Sequence, residues 1–206
     1  MPSMLHIKHF FDYLISSLLL FMALPFLIMV SIAIKLDSPG PIFYLQTRVG
    51  RHGKEFKIFK FRTMYSSLGP LLTNGTNDSR ITRVGRVIRM LHIDELAQLI
   101  NVLKGDMSLV GPRPEIPEFT KVHPDLWKKV LQVKPGITGL AALKCADFEY
   151  AQLAAARDCK KTYITKILPK KLRYDSFYVR KLSLGFDTII VLWTVKRVLL
   201  HMGIYN

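Results

Sequence analysis

The residues best suited to chemistry lie between His92 and Glu115, HIDELAQLINVLKGDMSLVGPRPE. Two adjacent carboxylates, Asp94 and Glu95, are followed by Gly111-Pro112-Arg113-Pro114, in which two prolines hold one arginine. An ionised carboxylate attacks phosphorus without a general base, and a fixed guanidinium matches the oxygens of a phosphate. Facing each other in a strongly basic chain, these groups point to work on phosphates. Asp-Glu pairs also occur on solvated helix faces, so the surrounding elements decide.

At about 100° per residue, Leu96, Leu99, Ile100 and Leu103 fall on one buried helix face, with Asp94, Gln98 and Asn101 opposite and Glu95 at the edge. The pattern stops at Gly105. Upstream, Arg80, Arg83, Arg86 and Arg89 recur every third residue. Arg89, nearest the acids, is the leading phosphate ligand of the four, while Arg80 and Arg83 read as a surface for anionic lipid. Ile42–Leu45 and Phe56–Phe61 read as strands of a β-hairpin, joined by Gln46–Glu55 with its two glycines. The hairpin's basic residues, Arg48, Arg51, Lys54, Lys57, Lys60 and Arg62, read mostly as a solvated or headgroup-facing edge. Lys60 and Arg62, beside Thr63, are the candidates for a substrate phosphate. Thr73–Ser79 is a loop by composition. Residues 115–134 read as a polar helix containing Trp127, Lys134–Gly139 as a rigid turn allowing close backbone approach, and 147–168 as an amphipathic helix. Lys170, Lys171 and Arg173 lead to Asp175.

The 206 residues suffice for one domain with a real core. Thirty Lys+Arg against fifteen Asp+Glu give a formal charge of +15, which seeks nucleic acid, phosphorylated molecules or an acidic membrane. The apolar half of the composition tilts this toward the membrane. Cys145 and Cys159 form no metal-binding spacing and read as reduced thiols. Residues 13–34 form an uncharged run of 22, about 33 Å as a straight helix and enough to cross a bilayer core. The run is too long for a signal-peptide core and is expected to be retained. Pro25 removes a backbone bond and frees the carbonyl near Phe21, so the helix is expected to kink or break there. Either it spans with a kink or it re-enters. Basic residues on both flanks favour a re-entrant hairpin with both ends cytoplasmic. Residues 184–204 are apolar but interrupted by Asp187, Lys196, Arg197 and His201, which suggests an interfacial or core helix. The expected class is α+β, predominantly helical. Residues 1–36 form the membrane-embedded segment and 37–206 a cytosolic catalytic domain.

Phe11-Asp12, Ser38-Pro39-Gly40-Pro41, Gln46 with Arg48 and Gly50, Lys60-Phe61-Arg62-Thr63-Met64, Arg80-Ile81-Thr82, Asp94-Glu95-Leu96, Asn101 to Ser108, Gly111 to Glu115 and Pro135 to Gly139 occur in this order. Together they resemble the bacterial sugar transferase family, the monotopic polyprenyl-phosphate phosphoglycosyl transferases, in its minimal form. The resemblance covers nearly the whole chain. It implies a membrane-embedded helix-break-helix and a Mg²⁺-dependent transfer of a sugar 1-phosphate from a UDP-sugar to undecaprenyl phosphate, releasing UMP. The site would lie on the cytoplasmic face of the bacterial inner membrane, among its lipids, with no nucleic acid as partner and homo-oligomerisation left open. It further implies Asp94 as nucleophile, Glu95 as metal ligand beside it, Arg89 and Arg113 on phosphate, and Lys60 and Asp175 as active-site positions. Three departures stand out: Leu24 where the family usually has serine before the membrane proline, Ala97 where many members have proline, and Leu140 to Cys145 in place of the usual polar sequence. The last makes the sugar hard to read. The rival readings are a catalytically silent membrane scaffold, opposed by the intact acids and arginines, and a membrane-tethered nucleic-acid binder. Against the binder, Phe56, Phe59 and Phe61 read as strand core rather than as a stacking platform.

Overall fold

In the computed structural model, which describes residues 2–65 and 79–204, helix α1 (Pro2–Asp37) carries most of the long apolar run. Helical structure continues through Pro25, so the expected break into two helices is not seen. One narrow stripe of α1 faces the protein. Asp12, Ser16, Leu27, Val30 and Ile34 are buried, with Leu20 and Ala23 packed half-buried between them. That spacing of three to four is one face of a helix. The rest of the surface is apolar and exposed, Phe21, Met22 and Leu36 most of all. Among the described residues, α1 is the one helix long and apolar enough to cross a membrane by length and composition.

Both ends of α1 are fastened to the same folded body. Near its start, Lys8 donates to Asp187 at 2.6 Å, and Asp12 accepts from the Ser108 hydroxyl at 2.8 Å and the Leu109 N–H at 3.2 Å. At its end, Asp37 accepts from the Val84 N–H at 3.0 Å. Arg62 closes the helix by donating to the carbonyls of Ser38 at 2.8 Å, Ile34 at 3.4 Å and Pro39.

Strands β1 (Phe43–Val49) and β2 (Glu55–Phe61) form the antiparallel hairpin, with Phe43 opposite Phe61 and Tyr44 opposite Lys60. β1 is longer than expected because Gln46 to Val49 also pair. The turn closes through His52 and Gly53, both at positive φ. Helix α2 (Arg83–Met90) is capped by Thr82, whose hydroxyl accepts from the Gly85 N–H. The segment Ile93–Gln98 is a 3₁₀ turn that runs into α3 (Leu99–Leu103). Three residues per turn instead of 3.6 rotate the pattern, so the expected faces hold only in part: Leu99 is buried and Leu96 packs on the core, but the rest shifts. Ile93, Ala97 and Val102 are buried, Leu103 is exposed, and Gln98 and Asn101 lie inside rather than on a solvated stripe.

β3 (Ser108–Val110) pairs in parallel with β4 (Gly136–Thr138), a pairing that sequence reading did not anticipate. The expected polar helix over 115–134 is two short ones, α4 (Pro117–Thr120) and α5 (Pro124–Val130), divided by His123 at positive φ. Proline favours the first turn of a helix, and Pro117 and Pro124 begin these two. The expected helix at 147–168 is also divided. α6 (Leu140–Ala154) ends before α7 (Cys159–Thr162), and a π turn at Tyr163–Ile167 leads into α8 (Leu168–Lys181). α9 (Leu184–Ile204) is one helix. The charges that interrupt its sequence include Asp187, which pairs inward with Lys8, and Arg197, which pairs with Asp147 at the surface, while Leu192, Val195, Leu199 and Leu200 stay exposed. The loop expected at Thr73–Ser79 lies outside the described residues up to Asp78.

One core joins Leu27, Val30 and Ile34 of α1 to Phe61, Ile88, Ile93 and Ala97. The C-terminal half of α1 therefore packs on the elements that carry Lys60, Arg89 and Asp94. A second core joins Val110, Leu140, Tyr178 and Ile190, and a third gathers Phe119, Trp127, Tyr163 and Leu172.

Candidate active site

His92, at φ 54°, ends α2 and starts the 3₁₀ turn. Ile93 and Ala97 of that turn enter the core, leaving Asp94 and Glu95 half-buried. Lys60 donates to Glu95 Oε1 at 3.2 Å. Arg113 grips both Glu95 oxygens, with Nη1 on Oε2 at 3.1 Å and Nη2 on Oε1. This is the two-pronged geometry in which guanidinium and carboxylate are strongest.

Two devices set the height of these groups. Asn101 spans from α3 to the edge of β2. Its Oδ1 accepts from the Phe59 N–H at 2.9 Å, and its Nδ2 donates to the Lys57 carbonyl at 2.8 Å. The helix bearing the acids thus fixes the strand bearing Lys60. The second device is a lock between backbones. The Gly111 N–H donates to the Thr138 carbonyl and the Gly136 N–H to the Pro112 carbonyl, both at 2.9 Å. A Cβ on Gly136 would lie 2.1 Å from the Gly111 nitrogen, and one on Gly139 would lie 2.1 Å from its oxygen. Only glycine permits this approach, and it is what aims Arg113. A similar contact holds Arg89. Gly85 packs on Thr63, where an added Cβ would meet the carbonyl oxygen at 2.2 Å, and Arg89 Nε donates to the Thr63 hydroxyl at 2.8 Å.

Asp94 lies in the field of Lys60, Arg89 and Arg113 and of the adjacent Glu95. Among the described residues, its carboxylate accepts no hydrogen bond. Burial, reinforced by Glu95, raises its pKa against the three cations. For Glu95, burial acts in the same direction but is outweighed by Arg113 and then Lys60, which hold the carboxyl well below the usual range. Burial lowers Lys60 in spite of Glu95. The dyad is therefore asymmetric: Glu95 is held as an anion by Arg113 and Lys60, while the Asp94 carboxylate has no donor on it among the described residues.

The structure brings together Asp94, Glu95, Lys60, Arg89 and Arg113. It does not bring Arg62 to them, because that guanidinium is spent on carbonyls at the end of α1. Asp175 is buried on α8 near Lys171 and Glu115, with Oδ1 unpartnered. Burial, with Glu115 adding and Lys171 opposing, pushes its pKa up to about 7. Around it runs a polar network that sequence reading missed. Arg48 donates to Glu115 at 3.1 Å, Tyr163 donates to Glu115, and Lys171 reaches Tyr163 at 3.1 Å and Glu149 at 3.3 Å. Arg48 is thus an inward-facing partner, not part of the solvated hairpin edge expected for it. Pro25 sits two positions before Leu27, in the half of α1 that packs against Ile93 and Ala97.

A magnesium ion accepts one or two protein carboxylates and completes its shell with water and substrate phosphate. Asp94 has its oxygens uncommitted among the described residues, and Glu95 Oε2 carries one hydrogen bond, so the donor set fits such an ion. No larger cluster of acids, histidines and cysteines occurs among the described residues.

Residues 3–201 match the family model described as bacterial sugar transferase. The chain is 37% identical over 210 residues to a UDP-N-acetylgalactosamine-undecaprenyl-phosphate N-acetylgalactosaminephosphotransferase of Aeromonas hydrophila, covering 98% of this chain and 46% of that protein. It is 40% identical over 200 residues to an undecaprenyl-phosphate glucose phosphotransferase of Komagataeibacter xylinus, covering 92% of this chain and 35% of the relative. An uncharacterised sugar transferase of Bacillus subtilis is 38% identical over 202 residues, covering 96% of this chain and 90% of the relative. The chain spans less than half the length of the first two relatives. With motifs, acids and family model in agreement along nearly its whole length, the chain belongs to the bacterial sugar transferase family.

Proposed function

We propose that the protein is a phosphoglycosyl transferase, moving a sugar 1-phosphate from a UDP-sugar to undecaprenyl phosphate. The observation that carries this reading is the pairing of a restrained Glu95 with an Asp94 that accepts no hydrogen bond among the described residues, inside a ring of three cations. The relatives' names supply the substrate class.

In the first half-reaction an Asp94 oxygen attacks the phosphorus that bears the sugar. The bond from that phosphorus to the bridging oxygen breaks, and UMP leaves with the oxygen and its electron pair. In the second, an oxygen of undecaprenyl phosphate attacks the same phosphorus, the bond to Asp94 breaks, and the carboxylate is restored. Arg89 and Arg113 neutralise phosphoryl oxygens as charge redistributes, and Lys60 with Arg113 keeps Glu95 ionised beside the nucleophile. Mg²⁺, held by Asp94 and Glu95 when bound, would supply further neutralisation of the diphosphate.

The site works at a bilayer surface. The exposed apolar circumference of α1 needs lipid, while both its ends bind one folded body. That arrangement supports a re-entrant helix rather than one whose ends lie on opposite faces, with the catalytic domain on the cytoplasmic side of the inner membrane. The test is UMP release from a panel of UDP-sugars with Mg²⁺ and undecaprenyl phosphate, using Asp94→Asn as the blank. Lipid-dependent release with one sugar supports the reading. Equal release by Asp94→Asn would sink it.

A further inference from the structure

At the opposite end of the hairpin from Lys60 lies a cavity of about 410 Å³, between the first turns of α1, the tip of the hairpin and the end of α8. Gly53 and Lys60 are seven positions apart, roughly 23 Å at about 3.3 Å per residue, so the cavity is not the reacting site. Its polar wall is Arg51, His6, His9, His52 and Gln132, and none of its lining residues is acidic. Leu5, Val179 and Leu182 form part of its apolar wall.

The polar wall is built rather than incidental. Arg51 Nε donates to the Gln132 carbonyl at 3.0 Å, and its Nη groups make no hydrogen bond among the described residues. They remain available for the two-pronged grip of an oxyanion. The His52 N–H donates to the Leu131 carbonyl at 2.7 Å, which fixes the tip of the hairpin against the opposite wall. His9 of α1 stands on the same wall.

The position of the cavity selects the anion. The exposed apolar surface of α1 continues from Phe10, next to His9, and that of α9 begins at Leu184, two residues beyond Leu182. A wall carrying the Arg51 guanidinium among three imidazoles, an apolar wall and the exposed apolar surfaces of two helices therefore meet here, and 410 Å³ is in the range that holds a ligand of headgroup size. We propose that this cavity holds the phosphate-bearing headgroup of an anionic phospholipid, whose acyl chains leave along α1 and α9. It would anchor the start of α1 independently of the lipid substrate.

Native mass spectrometry of the delipidated full chain, titrated with phosphatidylglycerol or phosphatidylcholine, tests this. One saturable phosphatidylglycerol per chain is expected, with phosphatidylcholine weaker by roughly tenfold, the equivalent of about 1.4 kcal/mol. Arg51→Gln should abolish the preference. Lys54→Gln removes the same charge from an exposed position outside the cavity and should retain it. Equal loss in both variants would reduce the effect to diffuse charge and overturn the proposal. So would displacement of phosphatidylglycerol by millimolar inorganic phosphate, which would mark a free-phosphate site. Because Arg51 also holds Gln132, His9→Gln serves as a second variant that leaves that bond intact. It should weaken phosphatidylglycerol in the same direction, and an unchanged preference would count against the site.

Discussion

Glu95 and Glu115 are each gripped by an arginine on the two sides of one rigid loop, yet the clusters around them carry opposite imbalances. Around Glu95, three cations (Lys60, Arg89 and Arg113) face two carboxylates. Around Glu115, two cations (Arg48 and Lys171) face three carboxylates, counting Glu149 and Asp175. A surplus of positive charge in a half-buried site calls for an anionic ligand. In the second cluster it is burial, with Glu115 adding and Lys171 opposing, that pushes the pKa of Asp175 up to about 7 and gives a proton a place there. On the proposed function, the first cluster is the reaction site and the second packs beside the loop that carries Arg113.

The sharpest way to break this contrast is Arg113→Met, which should lower turnover by about 10³-fold or more while the protein stays folded. Arg113→Lys restores charge without the fork, and recovery of most of the activity would show that the charge surplus, not the geometry, is what matters. In the second cluster, Arg48→Met leaves buried Glu115 with no cation in contact and only the Tyr163 hydroxyl and the Ile116 N–H as donors. It should destabilise the protein by about 3 kcal/mol in thermal or denaturant unfolding. Turnover per folded molecule should fall much less than for Arg113→Met.

Gly139→Ala tests the lock between the two clusters. Its Cβ would collide with the Gly111 carbonyl, so a loss of roughly 1–3 kcal/mol in stability is expected, with lowered activity as Arg113 shifts. The smallest effect is the most specific. Asp175 keeps its proton to about pH 7 in the folded chain, against an ordinary value of 3.8. Between these values the folded state binds more protons than the unfolded one. Its contribution to stability is therefore full below the lower value and declines as pH rises to about 7, by an amount on the order of a few kcal/mol. Asp175→Asn should remove that decline, measured as the difference between the two unfolding curves across pH 4–8. Parallel curves would place the charge balance elsewhere.

The sequence was most legible where function is written in short range. Asp94-Glu95 and the proline-flanked Arg113 meet as their chemistry suggested. Lys60 and Arg62 stood out together as phosphate candidates, but β2 ends at Phe61, so only Lys60 reaches the acids while Arg62 turns to close α1. The faces of the acid-bearing helix were misread because a 3₁₀ turn advances 120° per residue, which hides Asn101 as a bridge to β2. Arg48 and Lys171 looked like any surface cation. Their partners, Glu115 and Glu149, lie 67 and 22 positions away, beyond what local pattern can report.

On the proposed mechanism, Asp94 carries the phosphosugar between the two substrates. Intact-mass spectrometry of the protein given Mg²⁺ and its UDP-sugar, without lipid acceptor, tests it most directly. The expected result is a mass gain of one phosphosugar, mapped to Asp94, absent in Asp94→Asn and discharged by undecaprenyl phosphate. UMP release that requires both substrates together, with no adduct at any time, would contradict it.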